Sequence, residues 1–425
     1  MKSLVPKKIK DVIHTFGPGV ITGAADDDPS GIATYSQTGS QFGYSQLWLF
    51  LFSLPFITVV QEMCGRIGVV TGTGIAGIMK KHYSKKVLYA SVMLLLVANI
   101  INIGADLGAM AASAQLIFGL PFIVWLTIFT ILTIVLEVFI SYKNYSRFLK
   151  YLCFSLLAYV ITGSIVHQDW GQIIKSTFIP SFSIDKEYVL NIVAVLGTTI
   201  SPYLFFWQTN EEVEEEIEYK LIVDDGVGKP KVTEKNIKDM QIDTFSGMAF
   251  SQIIMFFIII TAASTLFVHG IHTIDSPQAA AQALRPFAGD LAYLVFTLGI
   301  VGTGLLAIPI LATSASYAVA ETFEFKRGLS KSFKQAPTFY GIIIFATLFG
   351  FAINFIGINP IQALYFSAVM NGLLAPPLLI VILFISNNRK IMYGHTNNKI
   401  SNILGILIAF IMSFAALVLI FSLFL

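Results

Sequence analysis

Charge is what this sequence has least of. Asp, Glu, Lys and Arg make up only 12% of its 425 residues, against 55% hydrophobic ones, and mean hydropathy is +0.75. A soluble globular domain carries about twice that charged fraction, so the composition indicates a multi-span helical membrane protein. A net charge of +2 leaves no basic surface for nucleic acid. The two cysteines, Cys64 and Cys153, stand at ends of apolar segments, without metal-ligand spacing or a secreted-type disulfide framework. None of the six histidines sits among the acids of the apolar runs, and no His-Glu-x-x-His occurs, which argues against a membrane-embedded enzyme. Lys7, Lys8 and Lys10 imitate the start of a signal peptide, but no small-residue cleavage site follows before Asp26, so the N-terminus is expected to be retained.

What is present is a series of apolar runs long enough to span, or nearly span, a bilayer. They cover about residues 16–40, 45–66, 86–117, 121–140, 147–166, 187–208, 240–268, 289–323, 337–357, 361–385 and 401–424, eleven in all. With the N-terminus cytoplasmic, the inner segments hold 24 of the 27 basic residues, and only Lys175, Lys186 and Arg285 fall outside. That asymmetry sets the orientation and places the C-terminus outside. The longest polar segment, 209–239, holds Glu211, Glu212, Glu214, Glu215 and Glu216, then Asp224-Asp225-Gly226. It reads as a solvated cytoplasmic hairpin or short helix extension, with a cation-sensing or gating patch as the sharper alternative. His167, Asp169 and Trp170 in the outer loop 167–186 read as interfacial anchors.

Two runs are interrupted. In the first, Asp26-Asp27-Asp28-Pro29-Ser30-Gly31 places three carboxylates where a membrane helix belongs. A charge near the bilayer centre costs about 2.5–3.5 kcal/mol on insertion scales, so it is rarely there for packing alone. Pro29 lacks an amide donor and disfavours helical geometry at Asp28, so a break is expected there, with exposed carbonyls beside a carboxylate. Hard cations prefer such oxygens. In the sixth run the interruption is Gly197-Thr198-Thr199-Ile200-Ser201-Pro202-Tyr203, whose hydroxyls and carbonyls form an all-oxygen partner. Two Gly/Pro-interrupted helices at corresponding places in two halves point to an inverted repeat with a midplane site between them. The expected architecture is all-α: repeats of five helices at about 16–166 and 187–385, broken helices 1 and 6, and one extra helix at about 401–424.

These residues resemble the Nramp family of divalent-metal transporters, which has the leucine-transporter type of fold. The likeness rests on Gly17-Pro18-Gly19, on Asp28-Pro29-Ser30-Gly31 and on the interrupted sixth helix. The stretch Gly23 to Tyr35, with Gln61-Glu62-Met63-Cys64 and Gly104-Ala105-Asp106-Leu107-Gly108, is similar to the Nramp-related magnesium transporter clade. The resemblance implies that Asp28 matches the family's coordinating aspartate, while Gly31 stands at its asparagine position. The family's Met-Pro-His becomes Ser201-Pro202-Tyr203, so a thioether and the imidazole linked with proton transfer are both replaced. Of the family's third-helix acids, Asp106 is retained and Ala109 replaces the other. Asn371 is a substitute for the family's tenth-helix glutamine, which aligns near Ala368.

Asp28, Gly31, Thr198, Thr199 and Ser201 are thus the candidate metal site, with Asp27 as a further contributor. Asp26, Tyr203, Asp106 and Asn371 are candidates for the pathway or gates. Asp106 sits on a small-residue stripe with Gly104, Gly108 and Ala112, as an inner-pathway acid or a structural hydrogen-bonding group. Glu62 and Arg66, four apart, read as a structural ion pair, and Glu137 and Glu321 as snorkelling or gating groups. Mg²⁺ keeps several waters and binds through one or two carboxylates, which suits a roomy oxygen-lined pocket, whereas Mn²⁺ or Fe²⁺ gains from nitrogen or sulfur donors. The expected function is Mg²⁺ uptake by alternating access without proton coupling, the alternative being proton-coupled Mn²⁺ or Fe²⁺ symport. Three aspartates at the break repel the carboxylate of an organic substrate. The expected setting is the plasma membrane, as a monomer in the lipid bilayer, with no cofactor besides the transported cation.

Overall fold

A computed structural model describes residues 17–140, 156–183, 185–228, 230–283, 285, 289 and 292–422. Lys7, Lys8, Lys10, Cys153 and the segment 141–150 lie outside the described residues. The first apolar run is two helices, α1 (Pro18–Asp26) and α2 (Pro29–Phe42). Then come α3 (Trp48–Thr71), the short α4 (Ile75–His82), the long α5 (Lys85–Phe118) and α6 (Phe122–Phe139). Of the fifth run α7 (Leu157–Ile165) is described, and α8 (Trp170–Phe178) lies in the loop that follows. The sixth run is again two helices, α9 (Lys186–Thr199) and α10 (Pro202–Glu218). The chain continues through α11 (Glu234–Thr265), the short α12 (Pro277–Gln282), α13 (Ala292–Phe323), α14 (Pro337–Ile353), α15 (Pro360–Asn387) and α16 (Lys399–Ser422).

Proline punctuates these helices. Pro18, Pro29, Pro202, Pro277, Pro337 and Pro360 each stand in a first helical turn, where the missing amide costs nothing. Gly72 ends α3 in the left-handed region at φ 63°, a turn later than the run 45–66 implied. The reason is the Glu62–Arg66 pair, 3.1 Å apart and buried, which carries the charge inside the helix instead of ending it. Among the described residues nine helices are long and apolar enough to cross a membrane, counting 186–218 as one. Helix 1 is divided into two pieces shorter than a span. Phe349, Phe384 and Phe410 are exposed while Asp26, Asp28 and Asp106 are buried, the polarity expected when the solvent is lipid.

Packing depends on backbones that touch. α11 lies against α1, α2 and α3, α9 lies against α15, and α5 packs on α13, α14 and α15. A Cβ added at Gly23 of α1 would fall 2.1 Å from the Gly247 carbonyl oxygen of α11. One added at Gly197 of α9 would fall 2.1 Å from the Ala368 carbonyl oxygen of α15. Where the solvent is as apolar as leucine, such close approach is the main source of helix association. It also holds both interrupted runs to helices that are unbroken.

The segment 209–239, expected as a solvated hairpin or short helix extension, begins as the helix extension, but its acids are not solvated. α10 carries the glutamate run as helix through Glu218, and Glu211, Glu212, Glu214 and Glu216 are buried. Glu214 accepts from Tyr317 Oη at 2.5 Å and from the amides of Leu329 and Ser330 at 2.9 and 3.1 Å, so it fastens the 324–336 loop. Asp224 and Val227 form an isolated bridge, and this turn is tied to the same loop by Asp225–Arg327 and Asp224–Lys331 ion pairs. Glu321 does not snorkel; it is buried and accepts the Gly77 amide at 2.7 Å. Asp169, read as an interfacial anchor, caps α8 through the Gln172 amide.

Gly23→Leu is expected to destabilise the protein by about 2–3 kcal/mol, because backbone cannot yield as a side chain does. Gly341→Ala, where nothing lies within 4 Å of the added carbon, is expected to be neutral or slightly stabilising. Melting temperatures of the two variants in detergent check the contrast. Glu214→Gln keeps one acceptor oxygen but sets an NH2 group against the Ser330 amide, and is expected to cost about 1–3 kcal/mol, read as faster limited proteolysis between 324 and 336.

Candidate metal site

Both interruptions are built the same way. Asp27 (φ −91°, ψ 47°) leaves the helix, Asp28 is extended (φ −63°, ψ 173°), and Pro29 starts the next helix. Ile200 (φ −114°, ψ 60°) leaves the helix, Ser201 is extended (φ −79°, ψ 135°), and Pro202 starts the next. Each break stops the i to i−4 ladder for two residues, so carbonyls beside it take side-chain donors in place of helix amides. Each also aims the positive end of a helix dipole at the gap.

Asp28 is the centre of the arrangement. Its Oδ1 accepts from Ser30 Oγ at 2.6 Å and from the Gly31 amide at 2.7 Å, and its Oδ2 accepts from Asn102 Nδ2 at 2.9 Å. The residue is 1% exposed, so these donors replace water around the carboxylate. Asn102, on α5, is absent from the sequence-based candidates. The available signal was an amide one helical turn before Asp106, on a helix face that also carries Asn99.

The second break meets the first through hydroxyls. Ser30 Oγ and Thr198 Oγ1 are 3.4 Å apart, and Tyr35 Oη and Thr199 Oγ1 3.3 Å. Gly31 lies between them, where a Cβ would sit 3.1 Å from the Asp26 carbonyl oxygen and 3.4 Å from Thr198 Oγ1. Ser201 Oγ donates back to the carbonyls of Gly197 and Thr198 at 2.8 and 2.6 Å, which leaves its oxygen free to accept. Tyr203 Oη donates to the Ala25 carbonyl at 2.7 Å and so joins the start of α10 to the end of α1. Structure thus brings Asp28, Gly31, Thr198, Thr199 and Tyr203 into one buried cluster.

The other acids go elsewhere. Asp26 accepts from Ser251 Oγ of α11 at 2.6 Å. Asp27 is fully buried, and neither of its oxygens accepts a hydrogen bond among the described residues. Asp106 is also buried with neither oxygen bonded among the described residues, so the reading of it as a structural hydrogen-bonding group does not fit. It lies one turn beyond Asn102 toward the C-terminal end of α5. Asn371 is buried beside Gly372, which packs on Gly197, and its Nδ2 has no acceptor among the described residues. No group of three His, Cys, Asp or Glu side chains converges among the described residues. A cation at the breaks would therefore meet one carboxylate, hydroxyls, carbonyls and its own waters.

Comparison with known proteins places this geometry. The family profile described as natural resistance-associated macrophage protein-like matches residues 19–422. The divalent metal cation transporter MntH of Caldanaerobacter subterraneus subsp. tengcongensis is 24% identical over 412 residues, covering 95% of this chain and 91% of its own. MntH of Listeria monocytogenes is 25% identical over 404 residues, covering 91% and 85%. Among solved structures, the Eremococcus coleocola manganese transporter superposes with a TM-score of 0.72 at 16% identity, over 98% of this chain and 88% of its own. The amino-acid complex of MhsT superposes at 0.58 with 15% identity, over 95% and 98%, which fits the leucine-transporter type of fold. With nearly its whole length matched, this chain belongs to the Nramp family.

Proposed function

We propose that the chain carries divalent metal cations across a membrane by alternating access, with Asp28 neutralising the ion between the two breaks. The observation that carries this reading is a fully buried carboxylate set among donors and hydroxyls contributed by both interrupted helices. The relatives are metal cation transporters, so the chain is not an enzyme.

The relatives bear on the cargo. They are named for divalent metal cations and, in the solved neighbour, for manganese, which supports Mn²⁺ better than the expected Mg²⁺. Carboxylate, carbonyl and water donors suit Mn²⁺ and Mg²⁺ alike. Our finer proposal is that the pocket also admits Mg²⁺, because Ser201 and Gly31 supply no soft ligand and leave room for retained waters. Thr198, Thr199 and Ser201 orient those waters, and Asp27 and Asp106 lend charge to the approach. Asn102 holds the Asp28 carboxylate in place when the ion is absent.

We also propose that transport needs no proton. Tyr203 stands where coupling through an imidazole would need a group titrating near neutral pH, and a phenol titrates near 10. Its hydroxyl is engaged by the Ala25 carbonyl. A negative-inside potential favours inward movement of a divalent ion by about 4.6 kcal/mol per 100 mV, twice the single-charge value. The basic residues on the proposed inner segments support a cytoplasmic side for them, and we propose a plasma-membrane setting.

In proteoliposomes, Asp28→Ala is expected to lower initial Mn²⁺ and Mg²⁺ uptake by about tenfold or more, while internal pH stays flat during wild-type uptake. Unchanged uptake in the variant contradicts the assignment of Asp28, and acidification tracking the metal contradicts the uncoupled reading. Ser201→Met is expected to shift the Mn²⁺ to Mg²⁺ rate ratio toward Mn²⁺ by about tenfold. An unchanged ratio means that residue 201 does not face the ion.

A further inference from the structure

The loop between the fifth and sixth runs carries a helix too short to cross a bilayer. α8, of nine residues, lies against α3 and divides into three sectors. Ile173 and Thr177 are buried against the protein. Gln172 and Ser176 line a cavity of about 300 Å³ that they share with Gly43, Ser45 and Ala263. Trp170, Ile174 and Phe178, each four apart, form the third sector and are 49%, 57% and 64% exposed. At about 100° per residue this apolar row and the cavity-lining pair fall on opposite sides of the helix. In water a row of three large apolar side chains would be a liability.

The row is continued along the chain and onto the bundle. Ile179 and Phe182, just beyond α8, are exposed as well. The Phe182 ring lies 5.1 Å from that of Trp48, which lies 5.8 Å from Phe52 of α3. Phe52 is exposed on a helix long and apolar enough to span, where the solvent is lipid. Lys175, the charged residue of α8, stands outside the apolar row, and its long stem lets the ammonium reach a phosphate while the helix stays at the boundary.

The chain leaving α8 is tied to the ends of both broken runs. Ser181 Oγ donates to the Ser45 carbonyl at 2.7 Å, just after α2, and the Ser181 carbonyl accepts from Tyr188 Oη of α9. The rings of Phe42, the last residue of α2, and Tyr188 meet edge to face at 5.4 Å. Whatever fixes α8 therefore also bears on α2 and α9.

We propose that α8 is an interfacial anchor: Trp170, Ile174 and Phe178 sit in the adjoining leaflet of the bilayer at headgroup depth, and the ends of α2 and α9 are held from it. The partner is lipid and not a second protein chain, because the row continues the lipid-facing surface of α3. Tryptophan and lysine are also the side chains that suit the level where acyl chains meet headgroups. The inference does not rest on the transport reading.

The test places a nitroxide label at Ile174→Cys, Phe178→Cys, Gln172→Cys or Lys175→Cys, one at a time, in full-length Cys64→Ala/Cys153→Ala protein in phospholipid vesicles. All four positions are exposed, so the labels do not threaten folding. Collision with oxygen, which concentrates in lipid, is compared with collision with a water-soluble nickel chelate. The oxygen-to-nickel ratio is expected to be several-fold higher at 174 and 178 than at 172 and 175. Nickel collision at 174 and 178 equal to that at 175 means the row is open to water and overturns the proposal. Collision with neither reagent means the row is covered by protein, which also overturns it. Ile174→Asn with Phe178→Asn is expected to speed amide hydrogen exchange several-fold in the last turn of α2 and the first of α9 in the same vesicles. Unchanged exchange there overturns the anchoring of the two helices.

Discussion

A carboxylate buried where membrane water does not reach must be balanced by something, and Asp28 is balanced by three hydrogen-bond donors rather than by a cation of the protein. Those donors exist because the helix stops. With Asp28 extended and Pro29 opening the next helix, the Gly31 amide and the Ser30 hydroxyl turn back onto the carboxylate. An unbroken helix would spend that amide on its own ladder. The break therefore creates the site and also supplies what makes the site bearable without an ion. A divalent cation can then displace donors that bind well, but less well than two positive charges.

The remaining architecture keeps the two breaks opposite one another. Gly23 and Gly247 let α1 press on α11, and Gly197 with Gly372 lets α9 press on α15, so each broken run leans on an intact one. The direct links between the breaks are few and weak in comparison: two hydroxyl contacts above 3.2 Å and the Tyr203 bond to Ala25. Strong packing outside a weakly joined centre is what a carrier needs if its halves are to rock about a fixed site. Toward the end of α10 and the start of α1 the joints become charged, through Glu214, Asp225 and Arg327, and through Asp243 at the start of α1.

Much of this was readable in the chain because its signals are local. Pro29 and Pro202 mark the breaks, and three aspartates in an apolar run demand a reason. What was not readable depends on partners far away in sequence. Asn102 looked like one polar residue among many until α5 carried it to Asp28. The glutamates of 211–216 looked solvated because a run of acids usually is, yet α10 continues and α11, α13 and the 324–336 loop cover them. The choice of cargo was the hardest to read, since oxygen donors serve magnesium and manganese alike.

The most direct measurement is anomalous diffraction from crystals soaked in Mn²⁺. The account predicts a peak between the two breaks, about 2 Å from an Asp28 carboxylate oxygen if the contact is direct or about 4 Å if one water intervenes. Thr198 and Ser201 should lie on its far side. Crystals that take up manganese but show no peak within that distance of Asp28 would contradict the central claim that the paired breaks hold the ion.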